Sequence, residues 1–274
     1  MPRLARTIDG RTMLGGRSGF VPLSAAAPTH TTVRDALPLA AEGNLPTPGD
    51  ASAAAVPPEH LSFAAPLDTP GKLWGIGLNY ADHASDLDEE WPKEPASFMK
   101  PATAATGPGG PIRLPPEDVS ERVTAEAELA VVIGKTCSDI DRLDRVDDVV
   151  AGYVPVIDMT AEDILERNPR FLTRSKSFDS FLVFGPWLVT TDEVGPLDDL
   201  TVSTVVNDEV AAENRVRNMM VSPRELVRFH SKVMTLEAGD VISTGTPGAK
   251  HIRPGDEVRA EVEGVGTARA NVVR

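Results

Sequence analysis

The chain has 274 residues, 41% of them hydrophobic, with a formal net charge of -14 and a pI of about 4.8. That size supports one large domain with a small appendage, and the acidic balance argues against nucleic acid or an anionic membrane as a partner. A single cysteine, Cys137, excludes an intrachain disulfide, and no apolar run reaches the roughly 18–20 residues of a membrane-spanning helix.

The first ten residues break into charge and glycine before any secretory apolar core develops, so a cytoplasmic setting is expected. Short apolar runs interrupted by Gly10, Gly15, Gly16 and Gly19 predict a hairpin around residues 11–23. Ala/Pro-rich stretches at 25–28 and 51–58 follow, with few large apolar residues to anchor them. Residues 1–70 are therefore expected to form a small β-rich domain and linker, and residues 71–274 the main domain. Beyond that boundary a strand is predicted at 72–77 and an apolar one at 126–133, stopped by Gly134. Leu143, Val146 and Val149/Val150 share a helical face, predicting a helix over 142–150. A strand at 153–157 is expected to end at Asp158. The spacing of Leu226, Phe229, Val233 and Met234 predicts a helix over 223–234, with Ser222 as N-cap, Pro223 at the first position and Glu225 completing a capping box. Turns at Gly239-Asp240 and Pro254-Gly255-Asp256 lead into strands at 241–244 and 257–263, the latter alternating apolar and charged residues. The sum is a β-rich α+β protein.

The segment Thr124-Ala-Glu-Ala-Glu-Leu-Ala-Val-Val-Ile-Gly134 carries the chemistry. Residues two apart on a strand share a face, so the carboxylates of Glu126 and Glu128 project together, beside Ala130 and Val132. Two like charges at the edge of a core need a cation to compensate them, and oxygen ligands suit a hard divalent ion. Asp158 offers a third carboxylate. The residues alone leave open a solvated strand end paired with Arg122 or Arg113, and for Asp158 an N-cap role. His83, three residues before Asp86, could be a base oriented by a carboxylate or a surface histidine. Lys176 could stabilise an oxyanion or be surface charge. The Thr244-Gly-Thr-Pro-Gly248 loop offers hydroxyls and amides suited to a carboxylate, or is an ordinary turn. His230 is expected to be structural or exposed. A dinucleotide fingerprint, a phosphate loop, a Gly-x-Ser-x-Gly elbow and a Cys/His zinc cluster are all missing from the sequence.

In order along the chain, Gly77-Leu-Asn-Tyr-Ala-Asp-His83, Phe98-Met-Lys-Pro101, Glu126-Ala-Glu-Leu-Ala-Val-Val-Ile-Gly-Lys135 and Ala151-Gly-Tyr-Val-Pro-Val-Ile-Asp158 resemble the fumarylacetoacetate hydrolase family. The likeness continues through Lys176-Ser-Phe-Asp179, Gly185-Pro-Trp187, Leu236-Glu-Ala-Gly-Asp240 and Thr244-Gly-Thr-Pro247, covering roughly residues 72–270. The resemblance implies a mixed β-roll with a small N-terminal β-rich domain, assembled as a homodimer. It also implies Glu126, Glu128 and Asp158 as ligands of Mg²⁺ or Mn²⁺, with Ca²⁺ a further candidate. His83 matches a base on a lid, with Asp86 where the family commonly has a glutamate; Lys176 matches a lysine near the substrate. Thr246, with Gly245 and Tyr80, stands where substrate is bound. The implied activity is hydrolytic C–C cleavage of an acylpyruvate-type keto or enol acid. Isomerisation or decarboxylation of the 2-hydroxyhepta-2,4-diene-1,7-dioate type, or oxaloacetate decarboxylation, is the alternative, and a non-catalytic metal and ligand binder a more distant one.

Overall fold

The computed structural model describes residues 2–16, 18–80 and 93–274, so the expected base His83 and its partner Asp86 lie outside the described residues. Two long strands, Val123–Ile133 and Val150–Ala161, pair antiparallel along their length, and every residue of both is buried. Their register sets Asp158 opposite Glu126 and Val156 opposite Glu128. Alternation of side chains across the pair explains both the burial and the location of the carboxylates. Ala125, Ala127, Leu129, Val131 and Ile133 enter one core with Tyr153, Ile157 and Met159. Ala130 and Val132 enter a second core with Val154 and Val156. Glu126, Glu128 and Asp158 thus share the face whose continuation is this second apolar core. Burying each large aliphatic side chain contributes about 1.5–3 kcal/mol, and the near-continuous apolar run places these strands at the centre of the fold.

The larger sheet spreads from this pair in both directions. On one side Trp187–Thr190 pairs with Val150–Ala161 and then with Arg3–Thr7, which continues into the predicted hairpin as Thr12–Gly16 and Gly19–Pro22. A bulge between Val150 and Gly152 makes this junction possible: a Cβ on Gly152 would lie 2.1 Å from the carbonyl oxygen of Val189, so only glycine fits. On the other side Val241–Ser243 pairs with Val123–Ile133, followed by Leu73–Gly77 and Ala96–Lys100. A second, five-stranded sheet contains Ile112–Arg113, Thr201–Val206, Glu209–Arg215, Glu257–Val262 and Gly266–Val273. Its Val202, Val258, Ala260, Ala268 and Ala270 close over the Leu129 face. Helix Pro223–Val233 begins as its sequence predicts, with the Ser222–Glu225 capping box formed. Its His230 is fully buried: Nδ1 lies 2.7 Å from the Leu226 carbonyl, so Nδ1 carries the proton and Nε2 accepts from the Ser97 hydroxyl at 2.8 Å. His230 is therefore structural.

Three expectations need correction. Residues 142–150 hold only one 3-10 turn, Leu143–Arg145. Sheet pairing wins there, because Val150 faces Ile133 and the Val149 carbonyl accepts the N–H groups of Gly134 and Lys135. The strand expected to end at Asp158 runs on to Ala161, and the next helix, Glu162–Arg167, starts later, so Asp158 caps nothing. Helix Val33–Ala41 lies where only a loose connection was expected; Thr32 and Asp35 form its capping box, and Ala36, Leu37 and Ala40 pack into the second core. None of the helices among the described residues is long and apolar enough to cross a membrane.

Candidate metal centre

The carboxylates of Glu126, Glu128 and Asp158 converge: one oxygen from each lies within 4.8 Å of the others, and all three residues are buried. Two lysines reach the cluster from separate elements. Lys100, the last residue of Ala96–Lys100, places Nζ 2.6 Å from Oδ1 of Asp158. Lys176, ending the short helix Leu172–Lys176, places Nζ 2.8 Å from Oε2 of Glu126 and 3.6 Å from Oδ1 of Asp158. Neutral donors complete the ring. Thr160, two residues beyond Asp158 on the same face, donates to Oε1 of Glu126 at 2.5 Å. Ser243 donates to Oε2 of Glu128 at 2.5 Å, and the Gly245 amide to the same oxygen at 2.8 Å. Arg122, considered from sequence as a partner of the glutamates, pairs with Glu162 and Glu166 instead.

Whether this donor set suits a divalent cation is decided by Asp158. Its Oδ2 is buried and has no hydrogen-bond partner, a costly state for a carboxylate unless a cation is bound. With all three carboxylates ionised, as metal ligation requires, they leave one net negative charge against two ammonium groups. A hard, oxygen-preferring divalent ion fits both the atom and the charge.

Electrostatics point the same way. Burial and the neighbouring Asp158 charge push the Glu128 carboxyl up to about 8. Burial likewise raises Asp158, against the pull of Lys100 and Lys176. For Lys176, burial opposes the charge, but the carboxylates of Asp158, Glu126 and Glu128 outweigh it and hold the ammonium protonated. Burial pushes Lys100 down. Its surroundings overrule that tendency: the carbonyl oxygens of Lys176, Phe181 and Met159 lie at 2.5, 2.9 and 3.3 Å, and together with Asp158 they offer only acceptors. The ammonium form suits such a shell: its three N–H groups match the three carbonyls, and its charge is met by Asp158.

The loop between Val241–Ser243 and Ala249–Ile252 arches over Glu128. Gly245 adopts φ +96°, and a Cβ there would meet Asn79 Cβ at 2.8 Å. Asn79 is buried and ties three segments together, donating to the carbonyls of Thr244 (2.7 Å) and Val221 (2.9 Å) and accepting the Val221 amide (2.9 Å). Replacing Asn79 by Ala strands those groups without partners, with an expected cost of about 2–4 kcal/mol; urea denaturation of the metal-free protein checks it, and a loss below about 1 kcal/mol would refute the clamp role.

The residues singled out from sequence are thus partly gathered. Glu126, Glu128, Asp158 and Lys176 form one cluster. The Gly245 amide is engaged by Glu128. The Thr246 hydroxyl donates to the Gly248 carbonyl at 3.0 Å and accepts the Gly248 amide at 3.2 Å, holding the loop closed. Tyr80 is fully buried with its hydroxyl unpaired, and burial followed by the Glu128 charge raises its pKa. Lys100, Thr160 and Ser243 were missed. Of these, Thr160 was within reach of the same two-residue alternation that linked Glu126 to Glu128.

Comparison with known proteins agrees with this geometry. Residues 72–273 match the family model described as Fumarylacetoacetate (FAA) hydrolase C-terminal. The 4-hydroxyphenylacetate degradation bifunctional isomerase/decarboxylase of Salmonella dublin is 41% identical over 75% of this chain, a match spanning 47% of that longer protein. The 5-carboxymethyl-2-hydroxymuconate delta-isomerase of Mycobacterium smegmatis superposes with a TM-score of 0.79 at 33% identity, covering 99% of both chains. The maleylpyruvate hydrolase of Sphingobium sp. SYK-6, solved with manganese(II) and pyruvate, gives a TM-score of 0.79 at 30% identity over 99% of this chain and 98% of that one. With its paired strands carrying three carboxylates toward one point, the chain belongs to the fumarylacetoacetate hydrolase family.

Proposed function

We propose that the protein is a Mg²⁺- or Mn²⁺-dependent enzyme that hydrolyses a C–C bond in a small acylpyruvate-type keto acid. The buried Glu126–Glu128–Asp158 centre with Lys176 beside it carries this reading. Glu126, Glu128 and Asp158 would hold the cation, which would supply Lewis-acid polarisation to a 2-keto or 1,3-dicarbonyl acid and a positive charge to draw an anion into an acidic protein. Lys176, kept charged by its neighbours, stabilises the negative charge that grows on the enolate oxygen. His83, oriented by Asp86, removes a proton from the water that attacks the distal carbonyl. As the C–C bond breaks, its electron pair passes into the enolate, which is then protonated to the keto acid. Thr246 and Tyr80 are the proposed contacts for the substrate's carboxylate end, and Gly245 acts by holding Glu128.

A second reading is favoured by the 41% identity to the Salmonella isomerase/decarboxylase. In it, His83 returns the proton to a different carbon and the same site isomerises a dienoate diacid, or decarboxylates a substrate such as oxaloacetate. An ultraviolet assay of acylpyruvates, dienoate diacids and oxaloacetate, with Mn²⁺ or Mg²⁺ and again with excess chelator, separates the two. Chelator-sensitive consumption of acylpyruvate with release of pyruvate supports hydrolysis. Turnover confined to the diacids or oxaloacetate replaces it by the second reading, and silence across the panel in a metal-loaded protein would leave a substrate outside the panel or a non-catalytic binder. Replacing His83 by Ala is expected to abolish turnover while sparing Mn²⁺ binding; unchanged turnover removes His83 from the scheme.

A further inference from the structure

The groups around the centre decide which carboxylate oxygens are able to serve a cation. Oδ1 of Asp158 forms a 2.6 Å ion pair with Lys100, while Oδ2 has neither an ion-pair nor a hydrogen-bond partner. Lys100 has little freedom to leave, because three backbone carbonyls from Met159, Lys176 and Phe181 surround its Nζ. On Glu128, Oε2 receives both the Ser243 hydroxyl and the Gly245 amide. Asp158 and Glu128 therefore each have one oxygen committed to protein groups, and Glu126 has both engaged, Oε1 by Thr160 and Oε2 by Lys176.

Cations differ in their response to such a restriction. Ca²⁺ gathers about six to eight oxygens and readily takes both oxygens of a carboxylate, whereas Mg²⁺ demands near-octahedral geometry and keeps several waters. Mn²⁺ accepts the same six-oxygen environment. We propose that Lys100 is a positioning residue that sets cation choice: by holding Oδ1 it confines Asp158 to ligation through Oδ2, and, with Ser243 acting likewise on Glu128, it makes the centre favour Mg²⁺ or Mn²⁺ over Ca²⁺. This rests on the metal-enzyme reading above and adds to it the residues that select the ion. The charge of Lys100 is a separate matter. It repels every divalent cation alike, so removing it strengthens Ca²⁺ and Mn²⁺ binding together and cancels in their ratio.

The ratio of dissociation constants is therefore the measurement. Mn²⁺ binding to the metal-free full chain is followed by the electron paramagnetic resonance of the free ion, and Ca²⁺ and Mg²⁺ by displacement of bound Mn²⁺. The wild-type protein is expected to prefer Mn²⁺ to Ca²⁺. In Lys100→Met the Ca²⁺/Mn²⁺ ratio of dissociation constants should fall at least tenfold. In Ser243→Ala it should fall by a smaller factor, because the Gly245 amide still holds Oε2. A wild-type preference for Ca²⁺, or a ratio unchanged in Lys100→Met, overturns the proposal. Should Lys100→Met fail to fold, Ser243→Ala decides, and an unchanged ratio there is equally fatal. Failure of the wild type to bind any of the three ions is a different result: it removes the metal centre itself, and the selection argument with it.

Discussion

Replacing Glu128 by Gln is expected to weaken Mn²⁺ binding by more than the roughly 10–100-fold typical of losing a group that merely orients a ligand. Glu128 is itself one of the three converging carboxylates, so the substitution removes the full negative charge that its ionised form would bring to a cation. The fold should survive. A Gln side chain keeps an oxygen able to accept from Ser243 and Gly245, and the metal-free wild type already favours the protonated, uncharged acid at neutral pH, with its carboxyl pushed up to about 8. Titration calorimetry with Mn²⁺ tests the ligand role, and an affinity within tenfold of wild type would falsify it.

The same carboxyl ties stability to pH, and the direction follows from proton counts. Glu128 titrates near 4.5 when unfolded and is pushed up to about 8 in the folded, metal-free chain. Between those values the native state binds more protons than the unfolded one, so the stability contributed by this group is full below about 4.5 and is lost as pH rises through about 8. Metal affinity runs oppositely: the ligand must be deprotonated to bind, so apparent Mn²⁺ affinity is expected to rise about tenfold per pH unit up to about 8. Glu128→Gln should flatten both trends. Urea titrations of wild type and variant at pH 6 and pH 8, without metal, give the comparison; parallel pH dependences in the two proteins would place the titrating group elsewhere.

The parts of this site that were legible in the sequence are those governed by local geometry. Alternation along a strand put Glu126 and Glu128 on one face, and the capping residues Ser222 and Glu225 located a helix correctly. Asp158 stood out as a carboxylate in an apolar run, although its role needed the register that sets it opposite Glu126. Lys100 was illegible. The carbonyls that define its setting belong to residues 59, 76 and 81 positions away, and nothing in Phe98-Met-Lys-Pro101 distinguishes a buried cation from the end of an edge strand. Ser243 was hidden for the same reason, its carboxylate partner lying 115 positions away. Other misses reflect competition between local and distant preferences. Residues 142–150 have a helical stripe, but pairing of Val150 with Ile133 takes the end of that segment into the sheet. Helix Val33–Ala41 lies between Ala/Pro-rich stretches that read as a loose connection, yet Thr32 and Asp35 at its start carried a readable capping signal.

Lys176→Met should separate binding from chemistry more sharply than any other substitution here. Its ammonium lies 2.8 Å from Glu126 and 3.6 Å from Asp158, so it competes with any arriving cation for the same carboxylates. Its removal leaves three buried carboxylates facing Lys100 alone. Breaking a buried pair in this way costs about 3–5 kcal/mol, and the metal-free variant should melt well below wild type. Mn²⁺ should then bind more tightly than to wild type and restore much of the lost stability by mass action. Turnover should not return with it. A positioned group that meets developing charge contributes about 10²–10³-fold to the rate, and the Met side chain supplies no donor to the enolate oxygen. Melting curves with and without Mn²⁺, paired with turnover at saturating metal, test both halves. If Mn²⁺ rescued turnover along with stability, Lys176 would be a counter-charge for the buried carboxylates and nothing more. Tighter metal binding with activity still lost places its ammonium in the reaction.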